Sequence, residues 1–389
     1  RRIHKGHINL NPFPNPLFNH NSLLLKKIDI YIIKKFLGTF FYSILLLAVI
    51  IIIFDISERI DDFLEKDAPL KAIIFDYYLN FLPYFVNMFS ALFTFIAVVF
   101  FTSRMAANTE IIAILNSGVS FWRMLRPYLI SAVILTMLSF VLMNYIIPHT
   151  NRSMREFEKR YIKNPFRVKD NNIHMQMDNE TFIYVESYNN VANVGYRFTM
   201  EKIDSIGLQF RFTSDMISWD SIGDKWKCSN YTMRFLGGLQ EKLIRGRSID
   251  TNFSAKGNAA LFSPSDFVID IEDAKIMTYR QLSDYIKREK QRGNPIVAKF
   301  EVEKFKRIAF PFANIILTFI GVALSSRKVR GGIGLNLGLG IAISFTYILL
   351  LQVTSTFAIF GNLRPALALW IPNLIYGVVA LVLLLKAPK

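Results

Sequence analysis

The bilayer constrains this chain more than any soluble environment does, because six uncharged apolar stretches are each long enough to cross one. They run from Phe36 to Phe54, Tyr77 to Ser103, Pro127 to Pro148, Ile308 to Ser326, Gly331 to Leu363 and Pro365 to Leu385. About 20 apolar residues span the hydrocarbon core as a helix, and the absence of water there leaves few other ways to satisfy the backbone. The stretches form two groups of three around a long polar insert. This arrangement predicts a polytopic α-helical membrane protein with six transmembrane helices.

Composition agrees. With 52% hydrophobic and 14% aromatic residues and a mean hydropathy of +0.30, a soluble domain would lack the polar surface to cover itself. A formal charge of +16 invites a nucleic-acid reading, but the cations gather at the ends of the apolar stretches rather than in an aromatic-interleaved patch. No nucleic-acid partner is expected.

Those cations also orient the chain. Lys26, Lys27, Lys34 and Lys35 precede the first stretch, and Arg104, Arg123 and Arg126 flank the loop after the second. Arg327, Lys328 and Arg330 fill the loop after the fourth, and Lys386 and Lys389 follow the sixth. Positive charge accumulates on the cytoplasmic side, so both termini are expected inside and the insert outside. The opposite side carries chiefly Arg59, Lys66, Lys71 and Arg364, set among Asp55, Glu58, Asp61 and Asp62.

The expected regions are a polar tail over 1–25, three spans over 26–150, an external domain over 151–300 and three further spans over 301–389. The tail is rich in Asn and Pro and lacks the apolar core of a cleavable signal peptide. His4 and His7 fit that flexible tail better than a metal site. Within the insert the periodicity turns from helical to alternating. Phe182 to Glu186, Ile206 to Phe212, Met216 to Trp219, Lys225 to Cys228, Tyr231 to Phe235 and Phe267 to Ile271 are short, aromatic and β-branched, with Asn, Asp, Gly and Ser between them. They predict an inserted all-β domain, a small sandwich or jellyroll-like fold. Asn151 to Ile162 continues from the third span, while Thr278 to Arg292 has a Thr cap, a stripe of Leu282, Tyr285 and Ile286, and a stop at Gly293. The β-domain is therefore expected to stand on helical stalks. Cys228 is the single cysteine, so no intramolecular disulfide is available.

Most catalytic chemistries find no foothold. The chain has no G-x-x-x-x-G-K-[ST] phosphate loop, no dinucleotide-binding G-x-G-x-x-G and no H-E-x-x-H, and none of its five His residues lies in a span. The apolar stretches hold no charged residue of the kind that carries protons or ions in a secondary transporter. They do hold Asn80, Asn87, Asn314, Asn336, Gln352 and Asn373, read as interhelical hydrogen-bonding groups. Gly334, Gly338 and Ala342 form a small-residue stripe suited to close helix contact, within the chain or with a partner subunit.

The loop between spans two and three is more specific. It runs from Arg104 through Asn108, Thr109, Glu110, Ile111, Ile112, Leu115 and Gly118 to Arg123. Asn108 or Thr109 can cap a short helix, Glu110 suits its first turn and Gly118 its end. One reading is an interfacial helix resting Ile111, Ile112 and Leu115 on lipid. The other is a coupling helix over about 108–117, seated in a cytoplasmic ATPase with Glu110 paired to a basic residue there.

With these residues in view, the chain resembles the LptF/LptG family of lipopolysaccharide export permeases from about Lys26 to its C-terminus. The resemblance rests on the Glu110 to Ser120 loop, on Met277 to Ile286, and on Glu301 to Ala313 with Arg307 and Pro311. Arg330 to Asn336 and Trp370 to Asn373 add to it. Their order along the predicted topology carries the match.

The resemblance implies a non-catalytic permease subunit of an ABC transporter in the bacterial inner membrane. It would pair with a second six-span paralogue and bind a cytoplasmic LptB-like ATPase dimer that holds the ATP and Mg, with no cofactor or metal on this chain. It would extract lipopolysaccharide and pass it through the jellyroll to a periplasmic LptC/LptA-like bridge. Coupling would then fall to Arg104, Asn108, Thr109, Glu110, Ile111, Leu115, Gly118 and Arg123. Arg59, Lys66, Lys71, Arg152 and Arg155 are candidates for the lipid head group, and Phe182, Tyr184, Phe210, Phe212 and Phe235 for an acyl-chain groove, although a sandwich core would select the same aromatics. Gly334, Gly338 and Ala342 would lie at a helix interface. The acids around Arg59 depart from the basic outer end implied for LptG, so the sequence does not choose between LptF and LptG. Rival readings are a permease for another lipid or for lipoproteins, and a membrane scaffold displaying its β-domain. A single span would suffice for the scaffold.

Overall fold

The structure, a computed structural model, describes residues 26–162, 171–178, 180–236, 241–253, 262–264, 267, 271–291, 297–327, 332–361 and 363–387. The tail with His4 and His7, the cations Lys328, Arg330 and Lys389, the Gly293 stop and the middle of the expected strand at Phe267 to Ile271 lie outside the described residues.

Among the described residues, six helices are long and apolar enough to cross a membrane: α1 (Lys27–Glu65), α2 (Leu70–Ala107), α4 (Phe121–Tyr161), α7 (Val297–Ser325), α8 (Gly332–Phe360) and α9 (Pro365–Leu385). Three short ones join them: α3 (Glu110–Asn116), α5 (Glu272–Ile276) and α6 (Tyr279–Gln291). The long helices overrun several of the apolar stretches, because apolarity marks only the crossing while the backbone ladder continues into polar sequence. α4 is 41 residues long, its last turns forming the stalk expected from Asn151 to Ile162. Two π-helical stretches, Ile73–Tyr78 in α2 and Leu142–Ile146 in α4, face the β-domain end of the bundle.

α2 and α7 form the centre: 61% of the most apolar part of each is buried, against 22% for α1 and α8. Close approach to α2 is set by two glycines. A Cβ on Gly340 of α8 would lie 2.8 Å from the Phe95 ring, and one on Gly321 of α7 2.9 Å from Val98. Polar side chains bridge the helices where lipid offers no alternative partner. Ser139 donates to Asn87 at 2.6 Å, Thr94 to Asn314 at 2.9 Å, Asn336 to Ser103 at 3.0 Å, and Tyr347 to Asn373 at 2.9 Å. Four of the six expected amide groups therefore join helices. Asn80 instead bonds carbonyls of its own helix at Phe75 and Asp76, and Gln352 is exposed.

The described residues of the insert hold six antiparallel strands in one sheet: β1 (Asn171–Gln176), β2 (Thr181–Asn189), β3 (Val194–Asp204), β4 (Gly207–Asp220), β5 (Lys225–Phe235) and β6 (Lys242–Thr251). Each strand pairs with its sequence neighbours, giving the meander order β1 to β6. Val185, Phe198, Phe212, Ile217, Trp226 and Cys228 form its buried face, covered by Phe253, Phe262 and Phe267. The Trp226 indole donates to the Phe262 carbonyl at 2.8 Å.

A polar row crosses the whole sheet. Residues 172, 186, 197, 215, 230 and 247 stand opposite one another, and the ladders hold one register on both sides of them while skipping the row itself. Asn172, Arg197 and Asn230 there have φ of 58°, 50° and 52°. Arg197 pairs with Glu186 at 2.8 Å, and Asn230 donates to Asp215 at 3.1 Å. The buried face changes parity at this row, with Phe212 and Ser214 inward on one side and Ile217 on the other. The expected strands at Ile206 to Phe212 and Met216 to Trp219 are thus one strand, β4, and those at Lys225 to Cys228 and Tyr231 to Phe235 are one strand, β5.

The return from the β-domain is tied firmly to the helices. Arg155 of α4 forms an ion pair with Asp273 of α5, and Asn151 donates to the Lys275 carbonyl at 3.5 Å. Lys275 lies 5.5 Å from the centre of the Tyr84 ring of α2. Arg307 of α7, itself 2% exposed, donates to the carbonyls of Ala274 and Met277. Next comes α6, opened by reciprocal bonds between Thr278 and Gln281, and it buries Leu282 and Ile286 against Val297 and Phe300 of α7.

Candidate functional site

The loop expected to couple the chain to an ATPase lies at the bundle end away from the β-domain, and its short helix α3 has a shape set by two left-handed residues. Thr109 enters it at φ 62° and Gly118 leaves it at φ 83°. Neither Asn108 nor Thr109 caps α3 with its side chain; the Thr109 hydroxyl donates to the Asn108 carbonyl at 2.6 Å instead. Gly118 does end the turn, as its position suggests, because the left-handed region costs glycine no Cβ clash.

α3 divides its residues between the chain and solvent. Ile111 is 2% exposed and packs among Met105, Ala106, Phe121, Met124 and Leu125. Its burial anchors the loop to the helix bundle. Ile112 stands 50% exposed and Leu115 is half-buried. Glu110 accepts from the Tyr31 hydroxyl of α1 at 3.1 Å and from the Asn108 amide at 3.4 Å. Arg104 is exposed, whereas Arg123 forms a bidentate pair with the buried Asp29 of α1, at 2.8 and 2.6 Å.

At the other end, the rim cations separate in the same way. Arg59 is held by Asp55 at 3.0 Å and lies 5.6 Å from the centre of the Tyr77 ring. Asp55 also accepts from the Tyr77 and Tyr78 hydroxyls, at 3.3 and 3.1 Å, which occupies the carboxylate and joins α1 to the π-helical start of α2. Arg155 is committed to Asp273. Lys66, Lys71 and Arg152 are exposed. Among the described residues no group of three or more His, Cys, Asp or Glu side chains is arranged to hold a metal.

The five aromatic residues expected to line an acyl-chain groove fall on two faces of the sheet. Phe212 is 1% exposed within the core, and Phe210 and Phe235 pair on that same inner face with rings 4.9 Å apart. Phe182 and Tyr184 alternate with the buried Ile183 and Val185 and point to the outer face. Nearby, burial pushes the Cys228 thiol up to about 12, aided by the Asp250 carboxylate.

The small-residue stripe faces outward. A Cβ on Gly334 or Gly338 would meet nothing within 4 Å, and Ala342 is exposed. Among the described span glycines, the ones whose Cβ would crowd a neighbouring helix are Gly340 and Gly321.

Residues 30–386 match the family model described as lipopolysaccharide export system permease LptF/LptG. The chain belongs to the LptF/LptG family. No curated protein matches the chain. As an LptF/LptG permease it is a multi-pass inner-membrane protein and a transport component of the lipopolysaccharide export system.

In this permease the residues that sequence reasoning passed over are the ones that hold elements together. The sequence assigns Asp29, Tyr31 and Asp273 no role, sets Asp55 among the acids of an outer helix end and puts Tyr77 and Tyr78 in a span, yet each bonds across helices. A lone Asp near a cationic helix start, as at Asp29 among Lys26 and Lys27, is the signal that was available.

Proposed function

We propose that this permease draws lipopolysaccharide from the inner membrane using ATP hydrolysed, with Mg, on a separate cytoplasmic ATPase dimer that seats on α3. Both termini and α3 then lie in the cytoplasm and the β-domain in the periplasm. The observation that carries the reading is α3 itself: a two-turn helix fixed by Ile111 on one side and presenting Ile112 and Asn116 on the other. A rigidly seated helix transmits force where a mobile loop would not.

A second six-span subunit faces α1 and α8, the least buried helices, with Gly334, Gly338 and Ala342 at that surface. Lys66, Lys71 and Arg152 supply charge for a phosphorylated head group, since Arg59 and Arg155 are already committed to carboxylates. Acyl chains pass along the inner face near Phe210 and Phe235 toward a periplasmic jellyroll bridge. Photocrosslinkers at Phe235 and Tyr184 sample opposite faces, and lipid adducts at Tyr184 alone would reverse that assignment.

The test of the whole reading is Glu110→Arg. Export is expected to stop while the protein still inserts and accumulates normally. Unimpaired export would remove α3 from the coupling role.

A further inference from the structure

Two contacts that the sequence does not announce tie α1 to the start of α4 and to α3. The first is the Asp29–Arg123 pair. Arg123 sits in the first turn of α4, directly after α3, and both of its terminal nitrogens reach Asp29, at 2.8 and 2.6 Å. Asp29 is 4% exposed and also accepts from the Lys26 backbone at 2.8 Å, so its geometry is fully determined. The second is Tyr31, whose hydroxyl bonds Glu110 at 3.1 Å and whose ring meets Phe101 edge-on at 6.4 Å.

These contacts grip α1 on both flanks of α3. A bidentate pair with a buried carboxylate resists displacement more than a fully exposed one, because separating it strands the Asp29 charge away from water. The carboxylate of Glu110 has lone pairs to spare beyond Tyr31 and Asn108, so a cation from outside the chain can bind it without first breaking the bond to α1. Above the grip, Ile32, Phe36, Phe40, Ile44 and Ala48 repeat at four-residue spacing as the one buried stripe of a helix otherwise open to its surroundings. At 39 residues, α1 is about 58 Å long. At its far end Asp55 is held by Tyr77 and Tyr78. One continuous helix therefore joins the contacts at Asp29 to the rim around Asp55.

We propose that Asp29, Arg123 and Tyr31 are positioning residues that carry the movement of α3 directly into α1, so that α1 shifts with the coupling helix. This rests on the reading of α3 as the ATPase seat. Arg123 accordingly faces α1 rather than the ATPase.

The experiment uses the full chain, assembled with its partner ATPase and second permease subunit in proteoliposomes containing lipopolysaccharide. ATP hydrolysis and lipid release are measured together for wild type, Asp29→Asn, the exchange Asp29→Arg with Arg123→Asp, and Tyr31→Phe. For Asp29→Asn, lipid released per ATP is expected to fall about tenfold while hydrolysis stays within about twofold, and the exchange is expected to restore most of the loss. Tyr31→Phe, which removes one hydroxyl, is expected to lower the ratio about threefold without changing assembly. An Asp29→Asn complex with the wild-type ratio overturns the proposal. If Asp29→Asn fails to assemble, Tyr31→Phe decides, and an unchanged ratio there overturns it. Unimpaired release in Glu110→Arg would remove the coupling reading and this proposal together, whereas a defect in Glu110→Arg with wild-type ratios in the other variants would remove this proposal alone.

Discussion

Arg307 donates to the main-chain carbonyl of Ala274 at 2.6 Å from a side chain with only 2% of its surface exposed. A second nitrogen reaches the Met277 carbonyl at 2.7 Å, and Glu303, one turn away, balances the charge at 3.6 Å. One side chain of a membrane-spanning helix thereby closes the last turn of α5, where the chain returns from the β-domain.

Arg307→Met keeps the length of the side chain and removes its donors, leaving Ala274 and Met277 carbonyls and the Glu303 carboxylate without their partner. The expected cost is about 3 kcal/mol. Thermal unfolding of the purified chain in detergent should show a clear drop in Tm, with Arg307→Lys in between because one ammonium cannot serve both carbonyls.

In the β5–β6 ladder Gly246 stands opposite Tyr231, and a Cβ there would lie 2.6 Å from the tyrosine ring. Gly246→Ala is expected to destabilise the β-domain by about 1–3 kcal/mol. Adding Tyr231→Ser should recover part of that loss if ring and methyl compete for one space. Unfolding of the single and double variants measures the coupling directly.

Two glycines two residues apart in α8 should behave in opposite ways. Gly340→Val drives a side chain into Phe95 and is expected to lower the stability of the isolated chain by about 1–3 kcal/mol. Gly338→Val projects into open space and should leave the chain's Tm unchanged. Co-purification of a second permease subunit then tests the outward stripe, with Gly338→Val weakening capture if that surface pairs.

The Cys228 thiol has an ordinary value of 9.0 and is pushed to about 12 by burial in the folded β-domain. Folding therefore favours the protonated thiol. Its contribution is complete below about pH 9 and is lost as pH rises toward 12. Two results are expected: no alkylation by iodoacetamide of the folded chain at pH 8, and a steeper fall in Tm between pH 9 and pH 11 for wild type than for Cys228→Ala.

Particular residues show where sequence reading succeeds and where it stops. Gly118 ends α3 as expected because a glycine with positive φ is a local property. The six crossings were legible because each must satisfy its own backbone inside lipid. The strands β1, β3 and β6 are not legible in one dimension: β1 alternates only Ile173 and Met175 among polar residues, and Arg197, Lys202 and Gly246 break the alternation of β3 and β6. In one dimension β4 reads as two pieces, because the buried face changes parity at Asp215 and resembles a turn there. In the sheet it is one member of a polar row that six strands share.

By itself the sequence determined the solvent, the number of crossings, the inserted β-domain and the family, since these depend on apolar length and on local motif order. The tertiary structure decided which charges remain available. Asp29 took Arg123 and Asp273 took Arg155, while Asp55, one helical turn from Arg59, also took the Tyr77 and Tyr78 hydroxyls. It also sent Phe182 and Phe212 to opposite faces and left Gly338 open while closing Gly340 against Phe95. Pairings between residues tens to hundreds of positions apart are set by how helices and strands pack, and no local pattern encodes them.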